Sequence, residues 1–350
     1  MSLSRRELLA IGVGGVALYS LVASDDPAGS GGTIDFESGS GARYESVRPA
    51  AGGVAINVEE SDGVGTLAGG VEGPDGEPWA LTCRHVVDPD YPDGDDEDVL
   101  GRAVYQPHHD EDEEPIGEVV DVGPSKGANS TDWAAIEISE SDDWTSQILG
   151  LGSPSGHGSV ETGDRVVLSG IRTGLLGAEI TEVGVSRNWR GTLIDGMIGY
   201  RVDEDLETAG NSGAFVATLD SNGTLEPVGI HAFDVDGTRY AVPLDHLLAD
   251  TPDISFVDGG SDPVVDDVSA FVEGAVVEWD DVEAVVAVGN IGGETVVDRP
   301  IQIRDYDDDL VDEIVVTLDP LEEQLLVLET PDDSPPVLDT GDVFRSVLDP

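Results

Sequence analysis

The feature that most limits what this chain can fold into is the brevity of its apolar runs beyond residue 54. Runs at 54–58, 65–71 and 79–81 are followed by others at 116–122 and 133–138. A second group occupies 165–168, 178–186, 197–202, 214–218, 226–232 and 239–242. Turn chemistry separates them: Gly73-Pro74-Asp75-Gly76 is one example, and the chain carries 45 Gly and 20 Pro. Short runs without strand–helix alternation predict an all-β protein. Their division into two groups predicts two antiparallel barrels or sandwiches, with 244–249 as a short closing helix.

A Pro/Gly/Asp-rich break at 251–263 precedes a third set of alternating segments, at 264–278, 282–288, 295–303, 313–317 and 324–328. This pattern predicts a separate β-sandwich over 264–330, and it contains no Cys or His. Residues 331–350 read as an acidic, Pro-containing tail. A length of 350 residues fits two folded units with extensions.

Charge narrows the setting. The chain has 73 Asp and Glu against 16 Lys and Arg, a formal net charge of −57, and Lys126 is its only lysine. The acids run along the whole chain and are not gathered in one tail, which points to a solvated surface adapted to high salt and bathed in bulk cations. At 1 M salt a Debye length of roughly 3 Å mutes the self-repulsion. The same electrostatics argue against a nucleic-acid partner. Cys83 is the sole cysteine, so no intramolecular disulfide forms.

The N-terminus carries Ser4-Arg5-Arg6-Glu7-Leu8-Leu9, followed by an apolar stretch of 16 residues from 8 to 23. That is short of the roughly 20 residues a spanning helix needs. Residues 1–23 therefore read as a twin-arginine export signal, with cleavage near Ala23 or Ser24. Residues 24–45, rich in Gly, Ser and Asp, read as a flexible linker. The expected location is extracellular or at the cell surface.

Three strings carry candidate chemistry: Ala80-Leu81-Thr82-Cys83-Arg84-His85-Val86-Val87, Ser130-Thr131-Asp132-Trp133-Ala134-Ala135-Ile136 and Thr208-Ala209-Gly210-Asn211-Ser212-Gly213-Ala214. Nucleophilic acyl transfer needs a hydroxyl, an imidazole to take its proton, a carboxylate to orient the imidazole, and donors for the oxyanion. His85, Asp132 and Ser212 supply those groups in that order. Taken singly, each motif is weak.

Together these strings resemble the trypsin-like, chymotrypsin-fold serine peptidases, and most closely the bacterial and plant members with an L-T-x-R-H-V histidine segment. Ser169-Gly170-Ile171-Arg172-Thr173-Gly174-Leu175-Leu176-Gly177 matches a Gly/Thr element that precedes the serine turn in that group. Pro227-Val228-Gly229-Ile230-His231-Ala232-Phe233 and Tyr240-Ala241-Val242-Pro243 resemble its substrate-binding and closing strands. The resemblance covers about residues 46–250 and implies a double Greek-key β-barrel peptidase domain. It assigns Ser212 as nucleophile, His85 as base then acid, Asp132 as its orienting carboxylate, and the Gly210 and Ser212 N–H groups as oxyanion hole. Substrate would lie along Ala232 and Phe233. Leu206, near the base of the primary pocket, implies an apolar or neutral side-chain preference. No cofactor or metal is implied, and the expected partner is a protein or peptide substrate.

Two positions depart from the pattern. Ala214 stands where many relatives have a second glycine, and Arg84 is a cation directly before His85, with its direction left open. Cys83 reads as a buried small hydrophobe, the pair His108-His109 and the acidic run 93–98 as solvated loops, and His231 and His246 as structural. His157 has no assigned partner.

Residues 264–330 resemble the adhesion-type immunoglobulin-like sandwiches of prokaryotic surfaces, through Val288-Gly289-Asn290-Ile291-Gly292 and Val316-Thr317-Leu318-Asp319-Pro320. That implies either attachment to a surface or substrate, or a plain spacer. Two rivals to an exported endopeptidase stand beside it: a catalytically idle, peptidase-like surface-binding module, and a hydrolase of acyl esters.

Overall fold

A computed structural model describes residues 41–346, apart from 60–62, 108–114, 128–129, 140–143, 203–205, 207, 221–222, 257–258, 261–262, 266–270, 280–282, 306–308, 321, 332–335 and 341–343. Residues 1–23, read above as an export signal, nearly all of the 24–45 stretch, and the His108-His109 pair lie outside the described residues. Among those described, no helix is long and apolar enough to cross a membrane.

The first unit contains β1 (Val47–Arg48), β2 (Ala50–Gly52), β3 (Ala55–Val58), β4 (Gly65–Thr66), β5 (Gly69–Glu72) and β6 (Pro78–Thr82). Helix α1 (Arg84–Val87) comes next, then β7 (Ala103–Tyr105), β8 (Gly117–Val122), β9 (Ala134–Ile138) and β10 (Trp144–Ile148). Seven of these strands form one sheet in the order β4-β3-β7-β8-β9-β6-β5. Its two end strands are separated in sequence only by Leu67 and Ala68, so they are halves of one bent strand. Leu67 N–H donates to Val54 O (2.9 Å) and Ala68 N–H to Leu81 O (2.7 Å), tying the bend to both ends of the sheet. The sheet thereby curls back on itself. Inward positions carry Ile56, Leu67, Leu81, Trp133 and Ile136, all almost fully buried.

The second unit contains β11 (Arg165–Gly170), β12 (Gly174–Trp189), β13 (Thr192–Val202), β14 (Phe215–Leu219), β15 (Leu225–Val235), β16 (Thr238–Pro243) and helix α2 (Leu244–Asp250). Its strands close a barrel in the order β11-β12-β13-β16-β15-β14. Numbered within each unit, with β4 and β5 taken as one strand, both units have the same cyclic order, 1-4-5-6-3-2. Two antiparallel barrels of equal, Greek-key connectivity follow from short strands and tight turns, as the sequence predicts. The β12–β13 hairpin is longer than its apolar pattern suggests, because its outer half alternates polar and half-buried residues up to Trp189.

The C-terminal strands are β17 (Val264–Val265), β18 (Val272–Trp279), β19 (Glu283–Asn290), β20 (Val296–Arg304), β21 (Leu310–Leu318), β22 (Glu323–Glu329), β23 (Val337–Asp339) and β24 (Phe344–Ser346). β18-β19-β22 form one sheet and β21-β20-β23-β24 another, and Val286, Val288, Ile301, Ile303 and Leu318 share a core between them. Asn290, fully buried, donates to Glu294 O (2.8 Å) and Asp319 O (3.0 Å), so it joins the two motifs noted in this stretch. Two three-residue strands, β23 and β24, occupy what reads as an acidic tail. Runs that short, set among Asp and Pro, leave no periodicity to detect.

These C-terminal sheets do not float free of the barrels. Ala275, Val277, Ala287 and Ile291 belong to the same core cluster as Leu67, Trp133, Leu175 and Phe215. β17 pairs with β1, through Val47 opposite Val265. A shared core melts as one. The full chain in molar salt is expected to give a single calorimetric transition, and two resolved transitions would show that the C-terminal sheets unfold independently.

Candidate functional site

His85 is placed by the change from strand to helix. β6 ends at Thr82, Cys83 is extended, and α1 begins at Arg84. Asp132 sits just before β9, which pairs directly with β6 through Thr82 opposite Ala134. That register delivers the carboxylate to the histidine. His85 Nδ1 lies 2.7 Å from Asp132 Oδ2, and His85 backbone N–H donates to Asp132 Oδ1 at 2.9 Å. Both carboxylate oxygens are thus engaged by one residue, which fixes the imidazole plane and puts the proton on Nδ1. Asp132 is fully buried and His85 13% exposed, leaving one ring edge open.

The loop before β14 brings Ser212 to the same place. Thr66 N–H donates to Ser212 O (2.8 Å), and Gly213 N–H donates to His231 O (2.8 Å). The Cys83 thiol donates to that same His231 carbonyl at 3.0 Å. One carbonyl of β15 therefore receives the residue two before His85 and the residue after Ser212. The Ser212 hydroxyl donates to Ala232 O at 3.0 Å. Gly210 has φ +106°, a conformation that side-chain-bearing residues rarely adopt. Among the described residues, the N–H groups of Gly210 and Ser212 have no backbone acceptor, while those of Asn211, Gly213 and Ala214 do.

Asn211 locks the loop. It is fully buried, its Oδ1 accepts from Arg172 N–H (2.9 Å), and its Nδ2 donates to Thr173 Oγ1 (2.7 Å). The Gly/Thr element at 169–177 thus abuts the serine loop directly. Ala214 has a packing reason: its methyl group is fully buried in a cluster with Val166, Leu168 and Val216.

Arg84 does not point to solvent. It is fully buried, donates to Asp88 Oδ2 (3.1 and 3.0 Å) and to Gly123 O (2.8 Å), and pairs with Asp96. The acidic run 93–98 therefore supplies a counter-charge to the histidine helix, and Lys126 bridges it through Asp93 O and Asp95.

Cys83, His85 and Asp132 offer atoms within 4.8 Å of one another, a spacing compatible with a metal. The donor chemistry does not suit one. Burial, with the Asp132 charge close by, pushes the Cys83 thiol well above its ordinary range, and metal binding needs a thiolate. The same neutrality makes Cys83 a packing group and not a nucleophile.

Local sequence gave no sign of Trp189. The β12–β13 hairpin turns at Arg190 (φ +47°) and Gly191 (φ +89°) and lays Trp189 against His85, with ring centroids 4.8 Å apart. Trp189 also stacks on Phe233 at 5.2 Å with nearly parallel planes. Phe233 is thus beneath an aromatic cover, and Ala232 is beside the serine hydroxyl. Leu206 is half-buried against the second barrel, and its carbonyl accepts from Arg239 (2.6 Å). Arg239 and His231 each lie 3.8 Å from the Asp234 carboxylate. His157 meets Phe256 at 5.8 Å, away from these groups.

No family model matches this chain, and no curated protein matches it. Among solved structures, the chain resembles chymotrypsin-fold bacterial serine proteases over about 60% of its length. Cellulomonas bogoriensis chymotrypsin is 19% identical, with 60% of this chain and 98% of that one covered, at a TM-score of 0.44. Thermobifida fusca Protease A is 17% identical over 60% and 98% of the two chains, at 0.45. Nocardiopsis protease is 17% identical over 59% and 97%, at 0.44.

His231 sets an acid limit on the site. Burial lowers its pKa from 6.5 to about 4, and Tyr200 lies 2.7 Å from its Nδ1. Burial likewise holds the Tyr200 hydroxyl protonated, so it donates to a neutral ring. Below pH 6.5 the unfolded chain binds a proton that the folded one refuses until about pH 4, so stability decreases as the pH is lowered across that window. Stability is therefore expected to drop steadily as the solution is acidified from pH 6.5 towards 4. His231→Asn is expected to make this slope shallower in denaturant titrations at several pH values, with the part due to the half-buried His246 remaining. An unchanged slope would refute the assignment.

Proposed function

We propose that the chain is a serine endopeptidase, hydrolysing peptide bonds through Ser212, His85 and Asp132. The observation that carries the reading is the double grip of Asp132 on His85, delivered from the first barrel to a glycine-flanked serine of the second. In the proposed reaction the Ser212 hydroxyl leaves Ala232 O and gives its hydrogen bond to His85. Ser212 Oγ then attacks the scissile carbonyl carbon while His85 Nε2 accepts the hydroxyl proton. Asp132 holds the Nδ1 proton in place and stabilises the imidazolium. The Gly210 and Ser212 N–H groups receive the developing oxyanion, each such donor typically worth about 10²–10³ in rate. His85 returns the proton to the leaving amine, and water hydrolyses the acyl-enzyme by the reverse sequence.

The wall near Leu206 carries Arg239 and Asp234, which offset each other at 3.8 Å. A wall without net charge, beside a leucine, supports the apolar or neutral preference at the primary pocket. The acidic composition and N-terminal pattern support an exported enzyme working in high salt, and the C-terminal sheets fit an immunoglobulin-like sandwich. An idle binding module has no use for an unbonded pair of N–H groups beside a serine. An ester hydrolase shares the same machinery and is separated by substrate.

Assayed in molar salt on casein-like and ester substrates, Ser212→Ala is expected to lose at least about 10⁴-fold in kcat/KM, together with labelling by a serine-directed phosphonate. Wild-type peptide cleavage no faster than that of the variant would sink the peptidase reading, and ester turnover alone would favour the esterase. In a peptide library, cleavage is expected after apolar or neutral side chains. Dominance of Arg and Lys, or of Asp and Glu, would overturn the pocket assignment.

A further inference from the structure

We propose that Glu273, carried by the C-terminal sheets, is a positioning residue for the serine loop of the second barrel. Its kinetic consequence rests on the peptidase reading; its structural consequence does not.

Glu273 lies on β18, and its side chain is 1% exposed. Arg43, fully buried, grips it with two bonds, Nε to Oε1 at 3.1 Å and Nη2 to Oε2 at 2.7 Å. Arg43 also donates to Gly53 O and Ser169 Oγ, both at 2.8 Å. Oε2 of Glu273 further accepts the backbone N–H of Leu175 at 2.8 Å. One carboxylate thus joins the N-terminal segment, both barrels and the C-terminal sheets.

The same carboxylate shapes the turn between β11 and β12. Gly174 has φ +67°, and a Cβ there would lie 2.5 Å from the Glu273 carboxyl carbon. The turn is closed around Glu273 with no room for a side chain. The two residues before that glycine, Arg172 and Thr173, make both bonds to the Asn211 side chain. Asn211 is the immediate neighbour of Ser212 and supplies the peptide between the two proposed oxyanion donors. Glu273 therefore fixes Leu175 and Gly174, these fix Arg172 and Thr173, and these fix the orientation of Asn211. Without the carboxylate charge the turn loses its template. The expected result is a misaligned serine and oxyanion hole, which lowers kcat more than substrate binding.

The test uses the full chain in molar salt. Glu273→Gln keeps the size of the side chain and removes its charge. It is expected to stay folded by near-ultraviolet circular dichroism, with kcat and the rate of phosphonate labelling reduced by about tenfold or more and KM within about twofold. Asn211→Ala is expected to give a similar loss. The double variant should lose little beyond the larger single loss, because both changes break one path; multiplicative losses would overturn the proposal. Hydrogen exchange supplies a readout independent of turnover. The hydrogen-bonded amides of Arg172, Leu175, Asn211 and Gly213 should exchange faster in Glu273→Gln while those of β19 stay protected, and unchanged exchange at Asn211 and Gly213 would also overturn it. If the wild type neither labels nor turns over, the peptidase reading falls and exchange alone decides the positioning role. If Glu273→Gln does not fold, Arg43→Met/Glu273→Met removes both charges together and reads the same quantities.

Discussion

The interaction on which most of the structure leans is the buried ion pair of Arg43 and Glu273. Two charges withdrawn from water cost several kcal/mol each in desolvation, and the cost is offset only when every donor and acceptor is engaged. Here the guanidinium meets a bidentate carboxylate, a carbonyl and a hydroxyl, and the carboxylate takes a backbone N–H as well. Breaking such a pair from one side leaves an uncompensated buried charge, a loss of about 3–5 kcal/mol. The partners are 230 residues apart in sequence. In a chain with a single cysteine, this contact does the long-range fastening that a disulfide does elsewhere.

The scarcity of cations sharpens that point. The chain has 16 Lys and Arg against 73 acids, yet Arg43, Arg84 and Arg239 are all buried. Each holds a segment next to the candidate site: the turn that meets the serine loop, the helix bearing His85, and the strand pair beside Leu206. Exposed acids repel one another, and that repulsion is muted by salt within a few ångströms. Buried pairs are screened far less. High salt therefore weakens the forces that push this protein apart while leaving its internal staples at full strength, which is the physical content of an acidic surface wrapped round a few interior arginines.

The residues of the candidate site were legible in sequence because they lie in local strings. His85 follows a strand, Asp132 precedes one, and Ser212 lies in a glycine-flanked turn, so each short context carries its own geometry. The two barrels were legible for the same reason, as short runs with turns between them. What escaped is non-local or weakly patterned. Trp189 reaches His85 only because a polar-looking hairpin extends past its apolar half. The Asp96 carboxylate, in a stretch that reads as solvated, neutralises Arg84. Glu273 lies in a segment without Cys or His, and nothing near it in sequence distinguishes it from the other acids of the chain.

His85 and Asp132 come from the first barrel and Ser212 from the second, so no single barrel contains the site. Its geometry is the mutual placement of two units that share one strand order but are joined by no covalent staple. The contacts that set this placement are few and specific: Thr66 N–H to Ser212 O, the His231 carbonyl shared by Cys83 and Gly213, and Arg43 bridging Gly53 and Ser169. The first two lie within two residues of His85 or Ser212, and the third fastens the strand that precedes the 171–173 turn. A shift of one barrel by an ångström would move Ser212 relative to His85 and Asp132 while leaving both folds intact, and the proposed chemistry is of a kind sensitive to displacements of that size. The C-terminal sheets bear on this junction through Glu273. A unit without chemistry of its own thereby becomes part of the frame that keeps two half-sites in register.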